Sequence, residues 1–146
     1  MKYDQPSFKR IENSYYNFLK KQEVLGEPFY DKLGQLNNFY LPICESIFQN
    51  YLKKKQTILI GLSGGQGSGK STIAKILQLI LNMKYNLNTI SFSIDDFYKT
   101  LKSRKKMAKT VHKLFITRGV PGTHDTKLLN NTLHKLLKKN FSPLLI

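Results

Sequence analysis

The first 55 residues carry apolar side chains at helical spacing. The pattern predicts a helix that begins near Pro6, a short second piece, and a third helix that opens at Pro42 and ends on three lysines. Gly26 and Pro28 lie where the first helix should break. We therefore expect residues 1–55 to form an N-terminal helical extension. Its apolar positions are Phe8, Ile11, Tyr15, Phe18 and Leu19, then Phe29, Leu33 and Leu36, then Ile43, Ile47, Phe48 and Tyr51.

From Gln56 onward, short apolar runs alternate with helical patterns. Residues 57–62 and 88–94 have the composition of strands. A β–α–β order implies parallel strands joined by right-handed crossovers. The predicted fold class is therefore α/β, a parallel sheet with flanking helices in a domain that begins at residue 56 and includes residue 146. The predicted helices of this part cover about residues 72–82, 103–115 and 126–139.

The number of predicted strands is small for such a sheet. Parallel sheets need neighbouring strands and cover on both faces, and a mean sheet has about five strands. Two strands are predicted here, and Phe141–Ile146 has the composition of an approach to another. We therefore expect the chain to be the N-terminal part of a longer domain.

A glycine-rich loop joins the first predicted strand to the next helix. Residues 64–71 read Gly-x-x-x-x-Gly-Lys-Ser, the Walker A pattern. Glycines allow the tight turn, and inward N–H groups together with the helix dipole hold phosphate. We expect Lys70 on the β- and γ-phosphates, Ser71 on Mg²⁺ and Thr72 on the α-phosphate. The predicted nucleotide-binding residues are Gly64, Gly65, Gln66, Gly67, Ser68, Gly69, Lys70, Ser71 and Thr72.

A dinucleotide-binding turn is the main alternative for this loop. It needs Gly-x-Gly-x-x-Gly, and no frame of residues 61–70 supplies that pattern. The Gly-Lys-Ser ending therefore favours a nucleoside triphosphate. The predicted sheet is accordingly of the P-loop NTPase type, with ATP and Mg²⁺ as the expected ligands.

Two carboxylates follow the second predicted strand. In open α/β sheets, ligands bind at the carboxyl ends of the strands, where Asp95 and Asp96 would lie. A phosphoryl-transfer enzyme needs a carboxylate near the γ-phosphate, to accept the acceptor's proton or to hold Mg²⁺. We assign both roles to Asp95, so that Ser71 and Asp95 are the candidate metal ligands, and Asp96 supports Asp95 or caps a turn. Two alternatives are that both carboxylates only end the strand in water, and that Asp95 is the Walker B aspartate of an ATPase.

The net charge of +15 raises the question of nucleic acid. The cations are 21 Lys and 3 Arg, whereas Arg is the preferred reader of bases. This composition indicates a general bias, and we do not expect nucleic acid as a partner. The acid-free stretch between Asp96 and Asp125 reads as a solvated cationic face, apart from Arg118. A positive field that concentrates anionic ligands is the alternative. Its cations are Lys99, Lys102, Arg104, Lys105, Lys106, Lys109, Lys113 and Arg118.

Cysteine use and hydropathy bear on the compartment. Cys44 is the one cysteine, so no internal disulfide forms and a reducing compartment is expected. Its place on an apolar helical face predicts a buried side chain. The sequence has neither a run of transmembrane length nor the apolar core of a secretory signal. These features predict a cytoplasmic protein without a membrane partner.

Three segments in this order form a recognisable pattern. They are residues 63–71, residues 93–98 (Ser-Ile-Asp-Asp-Phe-Tyr) and residues 117–125 (Thr-Arg-Gly-Val-Pro-Gly-Thr-His-Asp). Together they resemble the D-glycerate 3-kinase-like P-loop kinases, a group similar to uridine kinase, phosphoribulokinase and bacterial pantothenate kinase. The resemblance covers about residues 40–146, and the third segment is its most specific part.

The resemblance implies an ATP- and Mg²⁺-dependent kinase whose acceptor is a hydroxyl of a small acid, with D-glycerate as the expected substrate. It implies Lys70 and Asp95 as catalytic residues, with Asp95 as the base. It also implies that Tyr98, Arg118 and His124 bind the acceptor, Arg118 as a carboxylate clamp. The blander roles are an ion pair for Arg118 and a hydrogen-bonded turn for His124.

Other functions remain open on the same residues. A kinase for another acceptor, such as a nucleoside or pantothenate, fits the same motifs. A P-loop ATPase or ATP-binding protein without kinase activity is the alternative from another class.

Asp125 precedes a predicted helix, which indicates an N-cap.

Overall fold

The computed structural model describes residues 5–23 and 28–138, which form two compact units that divide between Ser91 and Phe92. The predicted break at Gly26 and the predicted strand approach at 141–146 lie outside the described residues. The α-helices are α1 (Gln5–Gln22), α2 (Lys32–Gln35), α3 (Leu41–Lys54), α4 (Lys70–Tyr85), α5 (Leu101–Thr110) and α6 (Thr126–Leu137).

The core of the first unit is helical. Helices α1 and α3 both pack against α4, and a π-helical turn, Leu36–Tyr40, leads from α2 into α3. The predicted apolar spacing of the first helix is confirmed, because every fourth residue from Ile11 to Leu19 is buried. The buried side chains are Ile11, Tyr15, Leu19, Leu36, Leu41, Cys44, Ile76, Leu77, Ile80 and Leu81. Their burial fixes the position of α4 and therefore the point at which the loop before it ends.

A polar contact also joins α3 to α4. The Glu45 carboxylate accepts hydrogen bonds from Tyr85 Oη at 2.6 Å and Lys84 Nζ at 3.3 Å, and from Gln49 Nε2 at 2.9 Å. The bond from Tyr85, with those from Gln49 and Lys84, lowers the pKa of Glu45 to about 2. Burial and the bond to Glu45 raise the pKa of Tyr85 to about 12. The predicted burial of Cys44 is confirmed, and burial raises the pKa of its thiol to about 12.

The predicted parallel sheet of the P-loop NTPase type is wrong. Residues 5–23 and 28–138 contain no strand, and their β-type pairing is an isolated antiparallel bridge between Tyr98 and His124. A strand exists only as part of a hydrogen-bonded ladder. In the described chain, no backbone hydrogen bond joins residues 57–62 or 88–92 to another segment. Thr89 is instead tied to α4 by side chains, its carbonyl accepting from Gln78 Nε2 at 2.6 Å.

The side chains of the predicted strands confirm the correction. Leu59, Ile60 and Leu62 are 48%, 56% and 43% exposed, and Ile90 is 52% exposed. An apolar run favours a strand only where a second layer covers its face. These segments lack that cover in the described chain, so their local preference for strand has no tertiary support.

The second unit is organised by capped helices. Thr100 Oγ1 accepts from the Ser103 N–H at the start of α5, and Asp125 Oδ1 accepts from the Leu128 N–H at the start of α6. The N-cap predicted for Asp125 is thus confirmed. The helix predicted from residue 103 onward ends at Thr110, and a 3₁₀ turn, Lys113–Ile116, follows it. The change occurs where His112 Nδ1 accepts from the Leu114 N–H, which ends the α-helical pattern.

Within the described ranges, none of the six α-helices has both the length and the apolar composition that crossing a membrane needs.

Candidate functional site

The glycine-rich loop of the first unit turns sharply into α4. Gly67 and Gly69 both have φ 76°, a left-handed conformation that side chains resist. Gly69 is the N-cap residue, and its carbonyl accepts the first helical bond, from the Ile73 N–H at 2.9 Å. These two glycines allow the loop to reverse just before Lys70. The strand predicted before the loop is absent, but the predicted turn and helix are present.

Backbone donors are exposed at the start of α4. The Ser68 N–H is bonded within the loop, to the Gly65 carbonyl at 3.3 Å. The N–H groups of Lys70, Ser71 and Thr72 have no acceptor among the described residues. Unpaired N–H groups at a helix N-terminus, with the positive end of the dipole, form a natural phosphate site. The loop backbone therefore suits the triphosphate predicted for it.

The Lys70 side chain lies against its own loop. Its Nζ donates to the Gly64 carbonyl at 2.8 Å and to the Gly65 carbonyl at 2.5 Å. Two neutral carbonyls are weaker partners for an ammonium than phosphate oxygens are. A phosphate that enters the loop can therefore recruit Lys70 by replacing these two bonds.

The residues around Ser71 also fit a magnesium nucleotide. The Ser71 hydroxyl makes no hydrogen bond within the described chain and belongs to an exposed residue. The described residues contain no group of three or more His, Cys, Asp or Glu side chains that could cage a metal. Mg²⁺ in nucleotide sites uses one or two protein oxygens and completes its shell with phosphates and water. Ser71 would supply such an oxygen.

Four of the predicted site residues come together in the second unit. The Arg118 guanidinium lies 5.4 Å from the centre of the Tyr98 ring, and that ring stacks on His124 with centroids 4.0 Å apart. His124 Nε2 in turn lies 3.7 Å from Asp95 Oδ1. We call Arg118, Tyr98, His124 and Asp95 the acceptor stack. It has a cation at one end and a carboxylate at the other.

Asp95 and its neighbour His124 differ in exposure. The Asp95 side chain is 69% exposed. His124 Nε2 is buried and has no hydrogen-bond partner in the described chain. At 3.7 Å, it is too far from Asp95 for a hydrogen bond. The histidine thus offers an unused nitrogen beside an exposed carboxylate.

Three hydrogen bonds join the segment around Tyr98 to the segment around His124. The Lys99 N–H donates to the Thr123 carbonyl at 2.8 Å, and Lys99 Nζ donates to the His124 carbonyl at 2.9 Å. The Asp125 N–H donates to the Phe97 carbonyl at 2.7 Å. These bonds tie residues 97–99 to residues 123–125 and so join the second and third segments of the sequence resemblance, residues 93–98 and 117–125.

Asp95 and Asp96 are held by one 3₁₀ turn, Ile94–Phe97. Asp96 Oδ2 accepts from the Ser93 N–H at 2.8 Å, and Ser93 Oγ accepts from the Asp95 N–H at 3.2 Å. Of the two roles considered for Asp96, the structure shows the turn cap. Asp95 is left to face solvent beside His124.

The two predicted catalytic residues, Lys70 and Asp95, belong to different units. Lys70 and Ser71 lie in the first unit, and Asp95 lies in the second. The expectation that Asp95 faces the phosphate loop across one cleft stays a prediction.

Sequence reasoning missed two residues of this region. Lys99 and Arg104 were both assigned to a solvated cationic face, yet both bind backbone carbonyls in the second unit. The signal was present for Arg104, because it is one of three arginines in a chain that otherwise uses lysine. No comparable signal marks Lys99.

Curated relatives of this chain carry kinase names. It is 44% identical over 82 residues to "Uncharacterized kinase mug58" of Schizosaccharomyces pombe, which covers 55% of this chain and 29% of the relative. It is 39% identical over 93 residues to "Probable ATP-dependent kinase TDA10" of Saccharomyces cerevisiae, covering 61% and 32%. It is 29% identical over 91 residues to "Pantothenate kinase" of Lactococcus lactis, covering 62% and 28%.

The matches cover only part of each relative. The chain spans about a third of the length of the curated relatives it matches. No family model matches the chain, and no solved structure matches it. The relatives therefore support a kinase in general, and the substrate has to be argued from the site.

Proposed function

We propose that the chain carries the phosphate-binding and acceptor-binding parts of an ATP-dependent small-molecule kinase. The observation that carries this proposal is the loop before α4, where the N–H groups of residues 70–72 are free and Lys70 is bonded only to loop carbonyls. The kinase names of the relatives support the same reaction class. We propose ATP as the nucleotide, and the name of the Saccharomyces cerevisiae relative, "Probable ATP-dependent kinase TDA10", supports this choice.

The loop residues would bind and position the nucleotide. The free N–H groups would hold phosphate oxygens, and Lys70 would move from the loop carbonyls to the β- and γ-phosphates. Ser71 would contribute a ligand to Mg²⁺, which supplies neutralisation of phosphate charge when bound. The transition state of phosphoryl transfer is loose, so the main task of these groups is to position the substrates and to neutralise the phosphate charge.

The acceptor stack would bind the second substrate. Asp95 would accept the proton of the acceptor hydroxyl as its oxygen forms a bond to the γ-phosphorus and the bond to the β–γ bridging oxygen breaks. The exposed carboxylate is free for this role, because Asp96 rather than Asp95 caps the turn. His124 Nε2 has no hydrogen-bond partner in the described chain, and it would donate to an acceptor oxygen once a change in its surroundings uncovers this buried nitrogen.

Arg118 favours a small acid as the acceptor. Its guanidinium lies over Tyr98 and makes no ion pair in the described chain, so the fork remains available for a carboxylate. We therefore propose D-glycerate as the first acceptor to test. The relatives named "Putative uridine kinase C227.14" and "Pantothenate kinase" make uridine and pantothenate the next acceptors.

The proposal is tested by ADP release from the full-length protein with ATP and Mg²⁺. We expect release that depends on D-glycerate and falls at least about 100-fold in Lys70→Ala, since one preorganised charge contact contributes that much. Lys75→Ala is the matched control, because Lys75 is an exposed lysine on the same helix. Equal activity of the two variants would remove Lys70 from the mechanism.

The acceptor panel separates the alternatives. Release that depends on uridine or pantothenate and ignores D-glycerate would reassign the acceptor and leave the kinase in place. Release that proceeds equally without any of the three would favour a P-loop ATPase. A calorimetric titration without ATP uptake would overturn the nucleotide assignment itself.

A further inference from the structure

Arg104 occupies an unusual place for a charged side chain. Arg104 is 7% exposed, and no other charged residue among those that the structure describes is buried. No carboxylate pairs with it in the described ranges. Burial of an unpaired cation is costly unless its N–H donors are satisfied. The contacts of the guanidinium therefore explain why this residue is an arginine.

Two main-chain carbonyls accept hydrogen bonds from the guanidinium. Arg104 Nε donates to the Lys99 carbonyl at 3.2 Å, and Nη1 donates to the Ile116 carbonyl. The arginine fork can meet two acceptors that lie apart, whereas a lysine places all its donors on one nitrogen. Arg104 thus bridges two stretches of chain that are separated by helix α5 and the turn after it.

Both carbonyls lie close to the acceptor stack. Lys99 directly follows Tyr98, and Ile116 precedes Arg118 by two residues. Tyr98 and Arg118 are also the pair that makes the 5.4 Å contact between guanidinium and ring. Arg104 therefore holds the backbone on both sides of that contact.

The second of these stretches packs against helix α5 but leaves most of its side chains exposed. Residues 113–116 form a short 3₁₀ turn, and the side chains of Leu114, Ile116 and Arg118 are all exposed. Exposed segments with few buried contacts are those that open most easily. The bond from Arg104 to the Ile116 carbonyl adds to the packing on α5 and so helps to restrain where Arg118 lies.

We infer that Arg104 is a positioning residue that fixes Arg118 over Tyr98 and so makes the site select an anionic acceptor. The inference rests on the proposed function in one respect, namely that the acceptor binds at Tyr98 and Arg118. Arg104 touches neither substrate and acts through Arg118.

Limited proteolysis tests the positioning without any enzyme assay. The full-length protein is treated with trypsin under native conditions, and mass spectrometry gives the rates of cleavage after Lys113 and Arg118. We expect these rates to rise at least about tenfold in Arg104→Met, because native-state cleavage follows the open population. Lys105→Met is the matched control, since it also removes one cation and one tryptic site but lies exposed on the same helix. Equal rates in the two variants would overturn the inference.

Kinetics test the consequence for the acceptor. In Arg104→Met and in Arg104→Lys, we expect the KM for D-glycerate to rise at least about tenfold while the KM for ATP stays within about twofold, as for loss of a charged hydrogen bond at the acceptor alone. Glycerol, which lacks the carboxylate, should be affected far less. A rise in both KM values would indicate general damage to the fold and would contradict the inference.

A double-mutant cycle shows whether Arg104 acts through Arg118. In the Arg118→Ala background, Arg104→Met should change the KM for D-glycerate by less than about twofold. An undiminished effect there would overturn the inference. If the wild-type protein phosphorylates no acceptor, the proposed function fails, and the proteolysis rates alone decide whether Arg104 fixes residues 113–118.

Discussion

Asp95 and Asp96 are neighbours in the sequence with different surroundings. Asp96 accepts from the Ser93 N–H, while the Asp95 side chain is exposed and lies 3.7 Å from His124 Nε2. We expect Asp95→Asn to lower kcat by at least about 100-fold without loss of stability, because an amide cannot accept the acceptor's proton. Asp96→Ala should cost about 1 kcal/mol of stability through the lost cap and keep turnover within a few-fold.

These two variants need paired measurements on the full-length protein. Urea unfolding gives the free energy, and ADP release with D-glycerate gives kcat. Similar losses of kcat in both variants would mean that Asp95 has no special part in proton transfer.

At the residue scale, the sequence predicted which residues belong to the candidate sites better than it predicted the contacts that those residues make. The Gly-x-x-x-x-Gly-Lys-Ser spacing predicted the turn before α4 because glycine conformations are a local property. The resemblance singled out Tyr98, Arg118 and His124, which do come together. The burial of Arg104 was not predicted, because a cation in a lysine-rich helix normally faces water.

At the element scale, the contact between α3 and α4 predicts a pH dependence. The pKa of Glu45 falls from its ordinary value of 4.5 to about 2 in the folded chain. A lowered carboxyl pKa stabilises the folded state above the ordinary pKa, and this stabilisation is lost as the pH falls from 4.5 to about 2. The Glu45 side chain is 35% exposed, so solvent screening reduces the contribution to about 1 kcal/mol.

Replacing Glu45 should therefore flatten the acid limb of the stability curve. We expect Glu45→Gln to lose stability near pH 6 and to lose less than wild type between pH 4.5 and pH 2. Urea midpoints over that range give the comparison, and Glu12→Gln on α1 is the control. If Glu45→Gln and wild type keep parallel curves down to pH 2, the contact with Tyr85 does not control the acid limb.

Helices were predictable from this sequence and strands were not. A helix satisfies its own backbone within one segment, so the apolar spacing around Ile11 and Tyr15 was enough to locate α1. A strand needs a partner elsewhere in the chain, and residues 57–62 have none among the described residues. The end of α5 at Thr110 was missed because His112 caps the following turn, a side-chain contact that apolar periodicity does not reveal.

At the scale of the whole molecule, charge and apolar exposure act in opposite directions. The net charge of +15 keeps copies of the chain apart. Leu59, Ile60 and Leu62 nevertheless expose an apolar run whose backbone has no partner in the described chain. Exposed apolar segments with free backbone groups are sites of self-association. Salt should therefore promote association of the 146-residue chain by screening its charge.

Ile60 offers a direct test of whether the exposed apolar run or the net charge controls association of the chain. It is 56% exposed, and Ile60→Lys removes the apolar group and adds one positive charge. Gln56→Lys adds the same charge at an exposed polar position and is the matched control. The measurements are made at 0.5 M salt, about twice the screening of a physiological buffer. We expect Ile60→Lys to show a smaller associated fraction in sedimentation velocity than wild type and the control. We also expect it to bind less of an apolar dye than either of them. Because the two variants carry equal charge, a matching decrease in both would assign the association to electrostatics rather than to the apolar run at residues 57–62.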